Sequence, residues 1–580
     1  APRTDTERAL CVVGRLALAR SATPPRDAHF FAAGGDSLAA TRLAALIRRQ
    51  WGFACSAQDI LAQPRLHALA GWIAGQAEAP APQVDGPAPR DRGQQALAQP
   101  VSHAQESQWF LWQLDPGGAA YHVCAALHLS RRPDRAALET ALAALRERHA
   151  VLRTVYDVTP EGAVTQRVTP AQGPVASWIS ANDGLDAALR RFSHAPFDLR
   201  QGPLLRAAVI TEEDAPDCVL AIALHHIAAD AVSMALLLRE WAQAYAHAAA
   251  GQADPASAPA LQYADFAAWQ RGQSQTAAFA RQLAWWRDRL GERHPVLALP
   301  LDRPRTDAAR HPAGHFRLTV DAALGARLQQ VAAGQGASLF MLLLAAFHAL
   351  LHRYTGQEDV RVGVPMAQRT APGTQDMVGL FVNTVVMRAT VRGRLTLGTL
   401  LEQVRTMALG AQANQDLPFE QVVRALVPMR NLRVSPLFQA MFNFLGQDVQ
   451  GQIQLPGIAV RYQRVPEAAS QFDLALDVQR QQDGTLLADF VYPADLFDAA
   501  TIARMADSYA LLLQACVDDL QQAVGEIVLL APAQQQALAQ WLAQVRINAR
   551  LLPLESQLAR DGGTGGWSGS VVLTGPALAS

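Results

Sequence analysis

The sequence predicts a small all-α unit, an extended linker and a larger α/β unit. Before residue 75, apolar side chains recur at helical spacing. The next stretch is rich in Ala, Pro, Gln and Gly, and beyond it strand and helix signals mix over about 440 residues. Half of the 580 residues are hydrophobic and 17% are charged, so the chain can bury several cores and is not disordered as a whole.

The first unit covers residues 1–76. Its segments 39–47 and 66–73 place apolar residues three or four positions apart, which predicts helices in a small bundle. Residues 77–99 contain little that could be buried and are predicted to be the linker. At the other end of the chain, residues 546–580 lack periodicity, include a Gly/Ser-rich stretch and stay unassigned.

The larger unit mixes both periodicities. Residues 218–224 form a continuous apolar run that is too short for most helices, which predicts a strand buried on both faces. The pattern of 231–251 predicts a helix closed by Gly251. Further along, two strands are predicted at 360–364 and 381–391, and a helix at 338–354.

Composition excludes several function classes. The net charge is −1 and all 50 basic residues are Arg, so we expect neither nucleic acid nor a membrane surface as a partner. The longest strongly apolar run, 339–347, is shorter than the roughly 20 residues of a membrane span, and the first residues show no secretory signal. The five cysteines are scattered without a CxxC spacing, which argues against zinc and against a disulfide framework. A reducing cytoplasm fits this pattern best.

A candidate anion site opens the first long helix. The motif GGDSL places two glycines, Asp36, Ser37 and Leu38 where helical spacing begins. The glycines permit a tight turn, and the amides at a helix start favour a phosphate attached to Ser37. The simpler alternative is that Asp36 or Ser37 only caps the helix.

A histidine pair ends the predicted buried strand. His225 and His226 lie in LHHIAADAVS, with Asp230 and Ser233 shortly after them. Imidazole titrates near neutral pH, and a strand end that opens into a loop can bring it to a substrate, so the pair is a candidate general base. The alternative is a hydrogen-bonded core histidine. A zinc site would need a third ligand nearby, and none is suitably spaced.

Residues 30–38, FFAAGGDSL, resemble a peptidyl carrier domain of nonribosomal peptide synthetases. The resemblance implies a four-helix bundle whose Ser37, flanked by Asp36 and Leu38, carries a covalent 4′-phosphopantetheine arm that holds an acyl group as a thioester. Carriers of fatty-acid and polyketide synthesis share the DSL core, so the GGDSL form favours the peptide family without deciding it.

The histidine motif resembles the HHxxxDG signature of condensation domains, which are relatives of chloramphenicol acetyltransferase. Six further segments resemble the blocks of this family, in the family's order. They are 102–111, 148–156, 263–270, 378–388, 414–423 and 430–444. The resemblance implies an α/β domain built from two acetyltransferase-like subdomains in a V, at 100–275 and 276–545.

The same resemblance assigns roles to single residues. His226 matches the catalytic histidine, and His225 matches the residue that supports its loop. Asp230 matches a structural aspartate held by an arginine, and three arginines stay open for this role: Arg148, Arg153 and Arg388. The residues implied at the substrate tunnel are Asn383, Ala231 and Ser233.

Three positions depart from the family pattern. Ala231 replaces the glycine of the signature, Ser107 replaces an arginine of the first block, and Ala150 replaces a glutamate of the second. If position 231 needed a positive φ or a close backbone approach, a Cβ there would cost stability.

The resemblance implies nonribosomal peptide synthesis, as of an antibiotic or a siderophore. A carrier-bound aminoacyl or peptidyl thioester would be transferred to the amine of a downstream carrier-bound acceptor, forming an amide. The implied partners are an upstream adenylation domain, a downstream adenylation and carrier module, and a phosphopantetheinyl transferase. Two alternatives stay open: an inactive condensation-like domain that recruits a partner enzyme to the carrier, and an ester-forming acyltransferase.

Overall fold

The computed structural model describes most of the chain. The described residues are 2–18, 23–31, 33, 35, 37–52, 55, 57–76, 86–90, 97–171, 173–213, 215–305, 311–427, 434–445, 453–530, 535–536 and 539–540. Asp36, most of the predicted linker and the whole predicted tail 546–580 lie outside them. Residues up to Ile527 form one compact unit, which does not include the segment from Val528 onward.

The N-terminal segment is all-α, as predicted. Its described helices are α1 (Asp5–Ala17), α2 (Ser37–Trp51), α3 (Ala57–Ala62) and α4 (Leu66–Gln76). Thr4 caps α1 by accepting a hydrogen bond from the Glu7 amide. The apolar faces predicted from spacing pack into one core, in which Leu43, Ile47 and Leu69 are fully buried.

The N-terminal half of the larger unit centres on a five-stranded sheet. Its elements are β1 (Gln99–Pro100), α5 (His103–Leu114), β2 (His122–Leu129), α6 (Arg135–Arg148), β3 (Thr154–Val158), β4 (Val164–Val168), β5 (Ala176–Ser180), α7 (Leu185–His194), β6 (Leu205–Thr211), β7 (Cys218–His225), α8 (Ala231–Ala249), α9 (Tyr263–Gln273) and α10 (Ala277–Leu290). All eight residues of β7 are buried, which confirms the strand predicted from its apolar run.

The C-terminal half centres on a six-stranded sheet. Its elements are β8 (Ala313–Val320), α11 (Ala322–Gly334), α12 (Leu339–Thr355), β9 (Asp359–Met366), β10 (Asn383–Thr390), α13 (Leu397–Ala413), α14 (Phe419–Leu426), β11 (Ala440–Leu445), β12 (Val460–Arg464), β13 (Leu474–Arg480), β14 (Leu486–Pro493) and α15 (Ala499–Asp518). The order of the strands in this sheet is β10-β9-β11-β13-β14-β8. The predicted helix 338–354 and both predicted strands are confirmed. Helix α8 is confirmed as well, and it is followed by Gly251 at φ +69°.

Two segments cross from the C-terminal half to the N-terminal half. Strand β12 pairs with β2, so the five-stranded sheet has the order β12-β2-β7-β6-β5. The connection between β9 and β10 places Leu380 and Phe381 in the core beneath that sheet. Both segments thus cross the division at 275/276 that the resemblance implies, since a boundary in the sequence does not indicate which core receives a later strand or loop.

None of the described helices is long and apolar enough to cross a bilayer by itself. Helices α11 and α12 reach the length and apolar composition of a membrane span only when they are taken together, and the chain bends by 100° between them. In the described part of the chain, no group of three His, Cys, Asp or Glu side chains is arranged to hold a metal ion.

Arg464, the last residue of β12, joins the two sheets. Its backbone pairs with Ala125 of β2, while its guanidinium donates to Asp477 of β13 at 2.7 Å. Asp477 lies directly opposite Asp489 of β14. Burial raises the pKa of Asp477, and Arg464 opposes this rise. The arginine therefore neutralises a carboxylate that the C-terminal sheet holds in an unfavourable position.

We expect Arg464→Ala to lower the free energy of unfolding by about 2 kcal/mol, because it leaves the buried carboxylate of Asp477 without its cation. The loss should be smaller than for a fully buried ion pair, since the arginine itself is partly exposed. The matched control is Arg461→Ala, an exposed position on the same strand, which should change stability by no more than about 0.5 kcal/mol. Urea unfolding of both variants measures the difference. Equal midpoints would show that Arg464 does not stabilise the joined sheets.

Candidate active site

The helix that carries the GGDSL motif begins at Ser37. Gly35 donates its amide to the Phe30 carbonyl at 3.0 Å, and a Cβ at Gly35 would lie only 2.5 Å from the Phe30 ring, so this turn requires glycine. The first turn of α2 contains no acidic residue. The free amides of a helix start suit a phosphoryl group, and the carboxylate of the motif, Asp36, directly precedes the helix. The side chains of Ser37 and Leu38, like the whole of Asp36, lie outside the described residues.

His225 and His226 have different environments. His225 is buried, and its Nδ1 accepts the Ile227 amide at 3.1 Å. Burial lowers the pKa of His225 well below the usual value, and the nearby His122 and His226 act in the same direction. His225 is therefore a neutral group that shapes the turn after β7.

His226 is half-buried, and a hydrogen bond fixes its tautomer. Its Nδ1 lies 2.7 Å from the carbonyl oxygen of Ala229, which can only accept. In the neutral ring the proton is therefore on Nδ1, and Nε2 carries the lone pair. The backbone amide of His226 also donates to the Tyr121 carbonyl at 2.8 Å, which ties the turn to β2. This arrangement suits a general base.

Asp230 closes the histidine loop with three hydrogen bonds. It caps α8 by accepting the Ser233 amide at 2.8 Å, and it also accepts the Phe381 amide at 3.0 Å and Arg369 Nη2 at 3.1 Å. Burial by itself would raise the pKa of Asp230, yet Arg369 and the two amides hold it below its usual value. Asp230 is thus a buried carboxylate paired with Arg369 across the two halves.

The three arginines proposed from the sequence as partners of Asp230 were the wrong ones. Arg369 follows β9, 139 residues after Asp230, and it lies outside the family-like blocks. The only sequence signal for Arg369 was its position five residues after the predicted strand 360–364. The other arginines bind elsewhere: Arg148 to Glu240 and Asp254, Arg153 to the Thr169 carbonyl, and Arg388 to Asp359.

Ser233 and Asn383, implied at the substrate tunnel, are engaged within the protein. The Ser233 hydroxyl donates to the Gly379 carbonyl at 2.7 Å and accepts from the Gly379 amide and from Arg369. Asn383 donates to the Gln415 and Leu417 carbonyls at 2.7 and 2.9 Å. Both side chains hold loops in place, and neither has a donor left for a substrate.

Ala231 is the first residue of α8 and is exposed. Among the described residues, only Gln368 and Leu437 combine a positive φ with a residue other than glycine. Ala231 therefore has an ordinary backbone conformation, and the missing glycine costs no strain there.

The family-like blocks meet around the histidine loop. Gln105 of α5 donates to the Tyr156 hydroxyl at 2.9 Å and to the Ile227 carbonyl at 3.4 Å. The Tyr263 hydroxyl donates to the Leu380 carbonyl, and a Cβ at Gly379 would lie 1.9 Å from the Tyr263 ring. Segments that are far apart in sequence thus fix one loop from several sides.

Comparisons with known proteins agree with both resemblances. The condensation domain family matches residues 95–539, and the phosphopantetheine attachment site family matches residues 14–73. Tyrocidine synthase 2 of Brevibacillus parabrevis is 32% identical over 561 residues, covering 97% of this chain, and malpinin synthetase of Mortierella alpina is 33% identical over 548 residues, covering 93%. The chain spans 15% and 7% of the lengths of these two relatives.

Solved structures share the α/β fold. The X-domain from teicoplanin biosynthesis superposes with a TM-score of 0.68 at 27% identity, covering 74% of this chain and 97% of that one. The first condensation domain of the calcium-dependent antibiotic synthetase, in complex with a substrate analogue, has a TM-score of 0.64 at 20% identity, covering 75% and 100%. The predicted acetyltransferase-like α/β fold is confirmed, and its body contains two sheets. The chain therefore belongs to the condensation-domain family of nonribosomal peptide synthetases and carries a phosphopantetheine attachment site ahead of its condensation domain.

Proposed function

We propose that this chain forms an amide bond between a donor carried on its own carrier domain and the amine of an acceptor on a downstream carrier. The phosphopantetheine arm supplies the thiol that holds the donor as a thioester, and Ser37 is the proposed attachment point because it opens α2 beside a glycine turn. The observation that carries the proposal is the tautomer of His226, whose Nε2 is ready to accept a proton.

His226 is the proposed catalytic residue. As the acceptor amine attacks the donor carbonyl, a C–N bond forms, the C–S bond breaks, and the amine loses a proton. Nε2 of His226 accepts that proton, and the leaving sulfur receives a proton in turn, so the histidine returns to its starting state. The Ala229 carbonyl stabilises the imidazolium in between, because it keeps the Nδ1 proton hydrogen-bonded.

Asp230 and Arg369 are proposed positioning residues. They bind each other and the loop ends, and neither replaces His226 in proton transfer. The alternative of an inactive recruiting domain rested on Ala231, and the ordinary conformation at that position removes the argument for it. An ester product would require an alcohol acceptor, which product mass distinguishes from an amine acceptor.

The proposed partners follow from the chemistry. A phosphopantetheinyl transferase must modify Ser37, an upstream adenylation domain must activate the donor, and a downstream adenylation and carrier module must present the acceptor. The work of the chain would thus be amide-forming acyl transfer in the cytoplasm, where activated amino acids are made.

We expect the chain to gain the mass of one phosphopantetheinyl group when treated with coenzyme A and a phosphopantetheinyl transferase. Ser37→Ala should gain none, because it removes the attacking hydroxyl, whereas Ser257→Ala, at an exposed position, should gain the group as the unaltered chain does. Intact-protein mass spectrometry measures this. Modification of the Ser37→Ala chain would place the attachment point elsewhere.

His226→Ala should lower the rate of amide formation by about 10²-fold or more, because it removes the general base, while Ser37 is still modified. The control His315→Ala, at an exposed residue of β8, should keep the rate of the unaltered chain. Single-turnover product formation with an amine acceptor provides the measurement. An unchanged rate in His226→Ala would exclude the proposed role.

Arg369→Met should lower the free energy of unfolding by about 3 to 5 kcal/mol at neutral pH, because Asp230 would be left buried without a cation. The pKa of Asp230 in the folded state lies below its usual value. The ion pair therefore stabilises the fold at pH values above the usual pKa of aspartate, and this contribution is lost as the pH falls through the lowered pKa of the folded state. In the variant the buried Asp230 has no cation and takes up a proton more readily, so the stability deficit should shrink as the pH is lowered from about 7 towards the usual pKa of aspartate, about 4.

Arg388→Met is the matched control for this change. Its partner Asp359 keeps a second arginine, Arg361, at 2.9 Å, so the loss should be no more than about 1 kcal/mol and nearly independent of pH. Urea unfolding across this pH range compares the two variants. If Arg388→Met were the more damaging substitution, the assignment of Arg369 as the partner of Asp230 would be refuted.

A further inference from the structure

Part of the predicted linker packs against the condensation domain. The described residues 86–90, here called the strap, lie between the carrier helices and β1. Pro87 is buried and Gly86 is half-buried, whereas Ala88 and Pro89 are exposed. Pro87 is thus a buried residue in a segment that was expected to bury little.

The first end of the strap contacts the connection between β9 and β10. A Cβ built on Gly86 would lie 3.1 Å from Cδ of Pro372 and within 3.5 Å of two further atoms of its ring. Pro372 belongs to the turn whose Thr374 carbonyl accepts a hydrogen bond from Arg369 at 2.8 Å. Glycine at position 86 allows the backbone to approach this turn closely, and a larger side chain would push it away.

The second end of the strap satisfies a buried carboxylate. The Arg90 amide donates to Oδ1 of Asp265 at 3.2 Å, and Oδ2 accepts the Gln262 amide at 2.8 Å. Asp265 is buried in the first turn of α9. A buried carboxylate oxygen without a donor is costly, so undocking the strap would leave Oδ1 in need of a new partner. The strap and α9 are thus complementary at this position.

We propose that residues 86–90 are a docking segment that fixes the linker to the condensation domain and shortens the tether of the carrier. Without the strap, the 22 residues 77–98 would separate α4 from β1, whereas with it only the nine residues 77–85 separate α4 from a fixed point. The effective concentration of a tethered group falls roughly as the −3/2 power of tether length, so docking raises that of the carrier by about fourfold.

The consequence for transfer rests on the proposed function, while the docking itself does not. A shorter tether favours delivery from the carrier of the same chain over delivery from another chain. The strap would therefore increase the preference of the condensation domain for its own donor.

Hydrogen exchange at the Arg90 amide tests the docking without reference to activity. This amide should exchange slowly in the unaltered chain, and at least about tenfold faster in Gly86→Val, where the added side chain meets Pro372. Asp265→Asn should have the same effect. The side-chain oxygen of asparagine can still accept the Gln262 amide, but its NH2 group is a donor and cannot accept a hydrogen bond from the Arg90 amide. The control Ala88→Val lies at an exposed position of the strap and should leave the exchange unchanged.

Transfer within one chain and between two chains tests the consequence. For transfer between chains, Ser37→Ala chains are mixed with His226→Ala chains, so that donor and general base lie on different molecules. Gly86→Val should lower the rate within one chain by about fourfold and leave the rate between chains unchanged, whereas Ala88→Val should alter neither.

Each outcome has a defined meaning. An Arg90 amide that exchanges in the unaltered chain as fast as in a free peptide would overturn the docking. Slow exchange that Gly86→Val accelerates, with no change in transfer within one chain, would overturn the tether effect and leave the docking. Absence of any amide product from the unaltered chain would refute the proposed function, and the exchange measurement would still decide the docking.

Discussion

The buried ion pair between Asp230 and Arg369 is the interaction on which the arrangement of the site depends. The two residues are only 3% and 6% exposed, and they come from different halves of the condensation domain. Such a pair contributes little net stability, because both charges lose their hydration, but separation of the partners is costly. The halves are therefore held in the one register that keeps this carboxylate and this guanidinium together. That register also sets the loop that presents His226.

Apolar packing and polar contacts contribute differently where the connection between β9 and β10 meets the N-terminal half. Leu380 and Phe381 enter the core of the N-terminal half and supply favourable burial, which by itself would tolerate many orientations. The Phe381 amide bonds Asp230, and the Arg369 guanidinium lies 4.3 Å from the centre of the Phe381 ring. One residue thus meets both charges of the pair. Burial of the two apolar side chains holds the connection between β9 and β10 in the core, and the polar contacts of Phe381 fix its orientation. The strap contacts this same connection.

Local patterns could be predicted from the sequence, and long-range pairings could not. The apolar run of β7 and the spacing of α8 each report on a few neighbouring residues, so both elements and the histidine turn between them were predicted correctly. Arg369 lies far from Asp230 in sequence, and every arginine offers the same chemistry, so only the fold distinguishes it from Arg388. The sheet that receives β12, and the burial of Pro87 in a stretch of linker composition, depend on tertiary contacts for the same reason.

Departures from a family pattern have to be judged by the contacts at each position. Ala231 replaces a glycine without cost, because α8 starts there in ordinary helical geometry. Ser107 replaces an arginine near Glu420, whose pKa is raised by burial and by Glu106, while Ser107 and Arg271 lower it. A carboxyl group with a raised pKa takes up a proton more readily, and its neutral form costs less to bury. Arg271, which pairs with Glu106 at 2.8 Å, also keeps a cation near Glu420. The serine in α5 therefore does not by itself indicate a loss of catalysis.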